Sequence, residues 1–391
     1  MSSSRAGEPA RAGGEGEIDL FAAAALVVEA LEASPCAVVG AAVRRDGAWR
    51  FGAGAAGRLW RDPAAPEASV ATIFDLASVT KPVTALALAR LARAGVLGRS
   101  EALAEALPAL AVTRSARVTL DLLSAHRAGL EAHRDLFAPL LEGRAVDPAA
   151  ALVTCADARR LECEGDPPAE GFSPLYSDLG YLLLGAAIAA RGGEDLDRVL
   201  DREVLAPLGL GLGSARALRA RGGFDDRVAP TEIAPFRGGV VRGAVHDENA
   251  WAVSGDAASG HAGLFGDARS VVELGVAIVD ALAGRSDAWL SPDDLAPLVR
   301  ARPGGSLLAG FDRRSGDAPT SGRRFGPSTF GHLGFTGTSL WIDPDAELVG
   351  VLLTNRVHPT RSHVAIRRAR PAAYDAIAGA MLGAEATLGG C

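Results

Sequence analysis

In the segment FDLASVTKPV, Ser78 and Lys81 stand three residues apart and Pro82 follows directly. A hydroxyl and an amine at that spacing share one face of a helix, about one turn apart. A helix that begins near Ser78 accepts Pro82, because first-turn N–H groups have no intrahelical partner to lose. Packed together at a partly desolvated helix start, the amine is expected to have a lowered pKa and to act as the base that deprotonates the serine. Arginine cannot replace it, since a guanidinium stays protonated. Composition makes the same point. Of the 40 basic residues only Lys81 is lysine, leaving 39 arginines, so lysine persists where a fixed positive charge is not enough.

Two further segments supply partners. Tyr176, one of three tyrosines, lies in FSPLYSDLGYLLLG, where a Gly/Ser/Pro-rich loop runs into a helix expected to start near Leu179. A phenol at such a junction can reach a nucleophile and relay its proton, with Asp178 orienting it or the lysine. Ser177 or Asp178 also serves as the helix cap. In FGHLGFTGTSLWIDP the glycines let a substrate backbone approach closely. A strand beginning at His332 would put His332, Gly334 and Thr336 on one face and Phe335 on the other. There His332 would contribute an imidazole, and the Phe335 N–H would pair with that of Ser78 as an oxyanion hole.

The elements that must hold these residues follow from pattern. Apolar residues from Ile18 to Leu31 recur at helical spacing. Cys36–Arg44 and Ala48–Ala55 read as a hairpin turned by Asp46-Gly47. Thr338–Ile342 and Glu347–Thr354 form a second hairpin around Asp343-Pro344. A closing helix runs from about His363 to Leu382, interrupted near Pro371. The middle of the chain is Ala/Leu-periodic and split by Gly, Pro and Asp, with Gly222–Gly239 and Arg302–Gly326 expected as long surface loops. The predicted fold class is α+β: an antiparallel β-sheet flanked by N- and C-terminal helices, with a mainly helical domain inserted. The expected division is a flexible tail at 1–16, a sheet domain from 17–81 and 325–391, and a helical insert at 82–324.

With 391 residues, 48% hydrophobic and 22% charged, the chain has the makings of one large core or two smaller ones. A net charge of −7 argues against nucleic-acid binding, and no basic run with interleaved aromatics occurs. The longest apolar runs fall short of the roughly 20 residues a transmembrane segment needs. No secretion signal is visible, which points to the cytoplasm, or to the periplasm or exterior if an export segment is missing. Cys36, Cys155, Cys163 and Cys391 have no metal-ligand or redox spacing and are expected as free thiols, with a Cys155–Cys163 disulfide open to an exported form. His246, Asp247 and Glu248 are adjacent in a loop and diverge, so no metal is expected. His126, His133 and His261 are expected to make structural hydrogen bonds. No cofactor motif occurs. The expected partner is a small-molecule or peptide substrate, with no sequence signal for oligomeric state.

Together the three segments resemble the serine β-lactamase and penicillin-binding-protein fold family, in its class C-like branch of D-Ala-D-Ala carboxypeptidases, β-lactamases and esterases. Ser78 and Lys81 match the Ser-x-x-Lys element; Tyr176, Ser177 and Asp178 resemble Tyr-x-Asn; His332, Leu333 and Gly334 resemble Lys-Thr-Gly. LLSAHRAGL, VHDENA, GHAGLF and LLTNRVHP are similar to this branch as well, so the likeness extends from about residue 20 to 385. It implies a serine hydrolase that works through an acyl-enzyme on an ester, β-lactam or D-Ala-type amide. Acyl transfer through the same intermediate, or a catalytically weak penicillin-binding sensor, are the alternatives. In this reading Ser78 is the nucleophile, and Lys81 and Tyr176 share the proton transfers. Gly334 and Phe335 shape the oxyanion side, with His332 and Asp178 near the substrate. Two departures stand out. Asp178 replaces asparagine, which raises the lysine pKa and favours Tyr176 as base. His332 replaces lysine, so a neutral ester or amide fits as well as a peptide ending in D-alanine.

Overall fold

A computed structural model describes residues 16–286 and 288–383. Its frame is a seven-stranded sheet built from the two ends of the described chain. The strands are β1 (Ile18–Asp19), β2 (Cys36–Arg45), β3 (Ala48–Gly57), β4 (Asp312–Arg313), β5 (Phe330–Leu333), β6 (Ser339–Asp343) and β7 (Leu348–Thr354), in the order β1-β3-β2-β7-β6-β5-β4. Every neighbouring pair is antiparallel except the short β1–β3 edge, which is parallel. The β2–β3 hairpin turns at Asp46-Gly47, both at positive φ (53° and 81°), the conformation that suits the twist of a two-residue hairpin.

β2, which lies beside the central strand β7, is apolar on both faces. Ala37, Val39, Ala41 and Val43 pack against the terminal helices, with Ala24, Val27, Tyr374 and Ile377. Val38 and Ala42 join the opposite core with Val272 and Ile278 of the Ala268–Leu282 helix. Helices therefore cover both faces of the sheet. The large helical portion extends the second core, and through it runs the Thr80–Arg93 helix, whose residues from Thr80 to Ala89 are all buried. A helix apolar on all sides belongs in an interior.

Several expectations change. The N-terminal helix begins at Phe21 rather than Ile18, because Ile18 and Asp19 pair with β3, and its last turn, Leu26–Ala30, widens to π geometry. The closing helix, Ile366–Leu382, runs through Pro371 without interruption. Burial of Ile366, Ala369, Ala373 and Tyr374 against the sheet outweighs the loss of one N–H bond. Gly222–Gly239 and Arg302–Gly326 are not simply surface loops. The first carries the buried Phe224 and Val228 of a separate small core, and the second sends Leu308, Ala309 and Phe311 inward. The tail expected at 1–16 and Cys391 lie outside the described residues apart from Gly16. Cys36, Cys155 and Cys163 are buried free thiols. Among the described residues no helix is long and apolar enough to cross a membrane.

Candidate active site

Ser78 sits in a single 3-10 turn, Ala77–Val79, that feeds directly into the Thr80–Arg93 helix, with Pro82 in the first turn as the sequence requires. The turn is held from several sides. Ala77 is kept at φ +48°, unusual for a residue with a Cβ, by its N–H bond to Asp75 Oδ1 at 2.8 Å. Asp75 Oδ2 in turn accepts the His246 N–H at 2.7 Å. From the far side of the site, Thr336 Oγ1 donates to the Asp75 carbonyl (2.8 Å) and Thr338 Oγ1 to the Leu76 carbonyl (2.9 Å). These two threonines fasten the turn after β5 to the backbone just before Ser78. The pattern Thr-Gly-Thr at 336–338 was the signal for them, but it names no partner.

Lys81 is fully buried, and its three N–H groups are all used: Ser78 Oγ at 2.9 Å, Asp178 Oδ1 at 2.7 Å and the His261 carbonyl at 3.2 Å. Burial alone would lower its pKa, but the Asp178 carboxylate and the Tyr176 hydroxyl outweigh it and hold the ammonium above its ordinary value. The expected lowering is thus reversed, by the aspartate flagged as a departure. Asp178 is held below the usual carboxylate range, with Lys81 and His261 overcoming its own burial.

Tyr176 and Asp178 come from the start of the Asp178–Gly192 helix, which Ser177 caps through the Gly180 N–H. His126 pins this entry. Its carbonyl accepts the Leu175 N–H at 3.1 Å and its Nδ1 accepts the Ser177 N–H at 3.0 Å, while its ring lies 4.6 Å from that of Tyr176. The Tyr176 hydroxyl faces Lys81 and Ser78, and burial raises its pKa, so the phenol is protonated at rest.

The third segment departs from expectation. β5 ends at Leu333, and Gly334–Thr338 form a tight turn, with Gly334 N–H on the Thr338 carbonyl at 2.7 Å. A Cβ on Gly334 would lie 2.0 Å from Thr338 Oγ1 and 2.7 Å from the Leu76 carbonyl, so glycine is required by that close approach. His332 is buried behind Tyr176, ring centroids 6.0 Å apart, and its Nδ1 faces the Leu333 carbonyl at 2.8 Å. A carbonyl only accepts, so Nδ1 carries the proton. Burial, then Lys81, lowers the His332 pKa to about 3, which makes it a neutral imidazole. The wall facing Ser78 is formed by Leu333, Gly334 and Phe335. Phe335 is half exposed, and its carbonyl accepts from Arg356 Nε and Nη2 at 2.8 and 2.6 Å.

Ser78, Tyr176, Asp178, Gly334 and Phe335 thus line one cavity of about 490 Å³, with Lys81 beneath Ser78. A groove of about 580 Å³ elsewhere, between β2–β3 and the Ala268–Leu282 helix, holds none of these residues. His246, Asp247 and Glu248 diverge to Glu232, His261 and Arg361. Sequence reasoning did not find the arginines of the cavity, Arg356, Arg361, Arg367 and Arg370. Arg370 supports the Gly334–Thr338 turn by donating to both its terminal carbonyls. In a chain with 39 arginines nothing local marks these four.

The sequence matches the family model described as Beta-lactamase over residues 23–374. A putative D-alanyl-D-alanine carboxypeptidase of Escherichia coli (strain K12) is 31% identical over 318 residues, 75% of this chain and 71% of that one. Among solved structures, a hydrolase with promiscuous acyltransferase activity superposes with a TM-score of 0.63 at 22% identity, covering 90% of this chain and 97% of that one. A penicillin-binding protein homologue from Caulobacter crescentus gives 0.61 at 22%, covering 93% and 99%. The match over most of its length, in a chain whose sheet and helical portions are arranged as in these structures, places this protein in the beta-lactamase family.

Proposed function

We propose that the protein is a serine hydrolase that forms an acyl-enzyme at Ser78 on an ester, β-lactam or D-Ala-type amide. The observation that carries this reading is the 2.9 Å contact between Ser78 Oγ and a buried lysine at the floor of the cavity. Lys81 rests as an ammonium and becomes the base once that proton has left to solvent, at the pH its pairing with Asp178 sets. The freed amine then takes the Ser78 proton as Oγ attacks the carbonyl. The backbone N–H groups of Ser78 and Phe335 receive the developing oxyanion. Tyr176 protonates the leaving group and regains its proton from Lys81, which is then again the free amine. Water resolves the ester by the same relay. The neutral His332 orients Tyr176 and bears no charge for a substrate carboxylate.

Support for D-Ala-type amides comes from the carboxypeptidase name of the Escherichia coli relative. One observation favours a second reading, a binder that turns over slowly: the Lys81–Asp178 pair costs energy to neutralise. Incubation with a fluorophosphonate or a penicillin, followed by intact mass, tests the mechanism. Wild type is expected to gain one adduct, while Ser78→Ala gains none and Lys81→Arg acylates at least about 10³-fold more slowly. Wild type without adduct from either probe refutes the enzyme reading, and an adduct on Ser78→Ala refutes the nucleophile. Turnover of p-nitrophenyl esters, nitrocefin and a D-Ala-D-Ala peptide then ranks the substrates, and added amines or alcohols separate hydrolysis from acyl transfer.

A further inference from the structure

The segments VHDENA and GHAGLF meet beside Lys81, yet the relay above does not use them. His261 is buried, and its carbonyl accepts from Lys81 Nζ at 3.2 Å. Its ring is clamped between Ser259 Oγ, 3.1 Å from Nδ1, and Asp247 Oδ1, 2.9 Å from Nε2. A carboxylate only accepts, so Nε2 carries the proton. Asp247 also caps the Glu248–Ser254 helix, with the Ala250 N–H on the same Oδ1 at 2.8 Å. Its side chain is 26% exposed and lines the Ser78 cavity together with Asp178. The buried lysine therefore faces two carboxylates, one in contact and one held in place through a histidine whose backbone also binds the lysine.

We propose that Asp247, clamped by His261, is a positioning residue that sets the proton affinity of the Lys81–Asp178 pair, and with it the pH at which Ser78 is activated. The inference rests on the relay proposed above. Of the groups facing Lys81, His126 and His332 have pKa values lowered to about 3, and Tyr176 and Tyr181 are raised, so all four stay neutral across the working range. On the far side of Asp247, Arg237 is a constant cation, and Asp75, raised by burial, is common to wild type and variant. Asp178 and Asp247 remain as the groups whose charge acts on the lysine.

Asp247→Asn isolates the charge, because asparagine caps helices as well as aspartate and its Oδ1 accepts both hydrogen bonds. One negative charge fewer, on the far side of the His261 that binds Lys81 through its carbonyl, should lower the proton affinity of the lysine. The rising limb of kcat/KM then moves to lower pH by about 0.5–1.5 units. Asp247→Ser, also a good cap, is a second uncharged variant should asparagine fold poorly, and Asp247→Glu should return the limb toward wild type. Fluorophosphonate labelling of Ser78 accompanies each profile. A limb that stays put, or moves to higher pH, in uncharged variants that still label overturns the role of Asp247 and leaves the serine mechanism standing. Wild type that does not label overturns the relay on which the inference rests.

Discussion

Asp178→Asn removes the carboxylate 2.7 Å from Lys81 Nζ while preserving shape and restoring the asparagine of the Tyr-x-Asn element. At an effective dielectric near 20, that contact is worth about 6 kcal/mol to the ammonium. Lys81 is fully buried and the Asp178 side chain is 21% exposed, so the pair is little screened, although water on the open side of Asp178 reduces the figure. At 1.36 kcal/mol per pKa unit the proton affinity of the lysine should fall by about 2–4 units. Desolvation, which the carboxylate now overrides, is then opposed only by the Tyr176 hydroxyl and by Asp247 beyond His261, and it draws the proton affinity of the amine down. The sign follows: the ammonium form loses its partner, the neutral base appears at lower pH, and the rising limb of kcat/KM moves down. Stopped-flow acylation of Ser78 by a fluorophosphonate from pH 5 to 10, in wild type and variant, measures that limb directly. A limb that stays within about 0.3 units, or moves upward, would refute both the lysine as base and the ion pair as what holds it protonated.

Two other outcomes follow from the site. Gly334→Ala forces a Cβ against Thr338 Oγ1 and the Leu76 carbonyl, so the turn must lift from the nucleophile loop. A loss of about 10²-fold in acylation and about 1–3 kcal/mol in denaturant stability is expected, and a variant with wild-type kcat/KM would show that the turn does not carry the oxyanion donor. His332→Gln should leave the kcat/KM profile between pH 5 and 8 unchanged, because His332 titrates only at about pH 3. An inflection near 6.5 that disappears in the variant contradicts the neutral imidazole.

The nucleophile segment was legible because its chemistry is local: one turn of helix fixes the Ser78–Lys81 contact, and no distant residue can alter that spacing. The hairpins were legible for the same reason, since Asp46-Gly47 determines its own backbone. Pro371 was misread because propensity is a weak local term that burial against the sheet overrides. The turn after β5 was misread as strand because alternation gives no sign of Thr336 and Thr338 reaching back to Asp75 and Leu76.

By itself the sequence determined the fold class and the chemical inventory, including the lone lysine, the phenol, and the aspartate in place of asparagine. Only the tertiary structure decided the charge states. The three N–H bonds of Lys81 end on residues 78, 178 and 261, and whether burial or Asp178 dominates its pKa depends on distances across 97 residues of chain. The same holds for His332. Its residue type suggested a replacement for a lost positive charge, and its burial behind Tyr176 makes it neutral, because a charge in an interior survives only beside a partner.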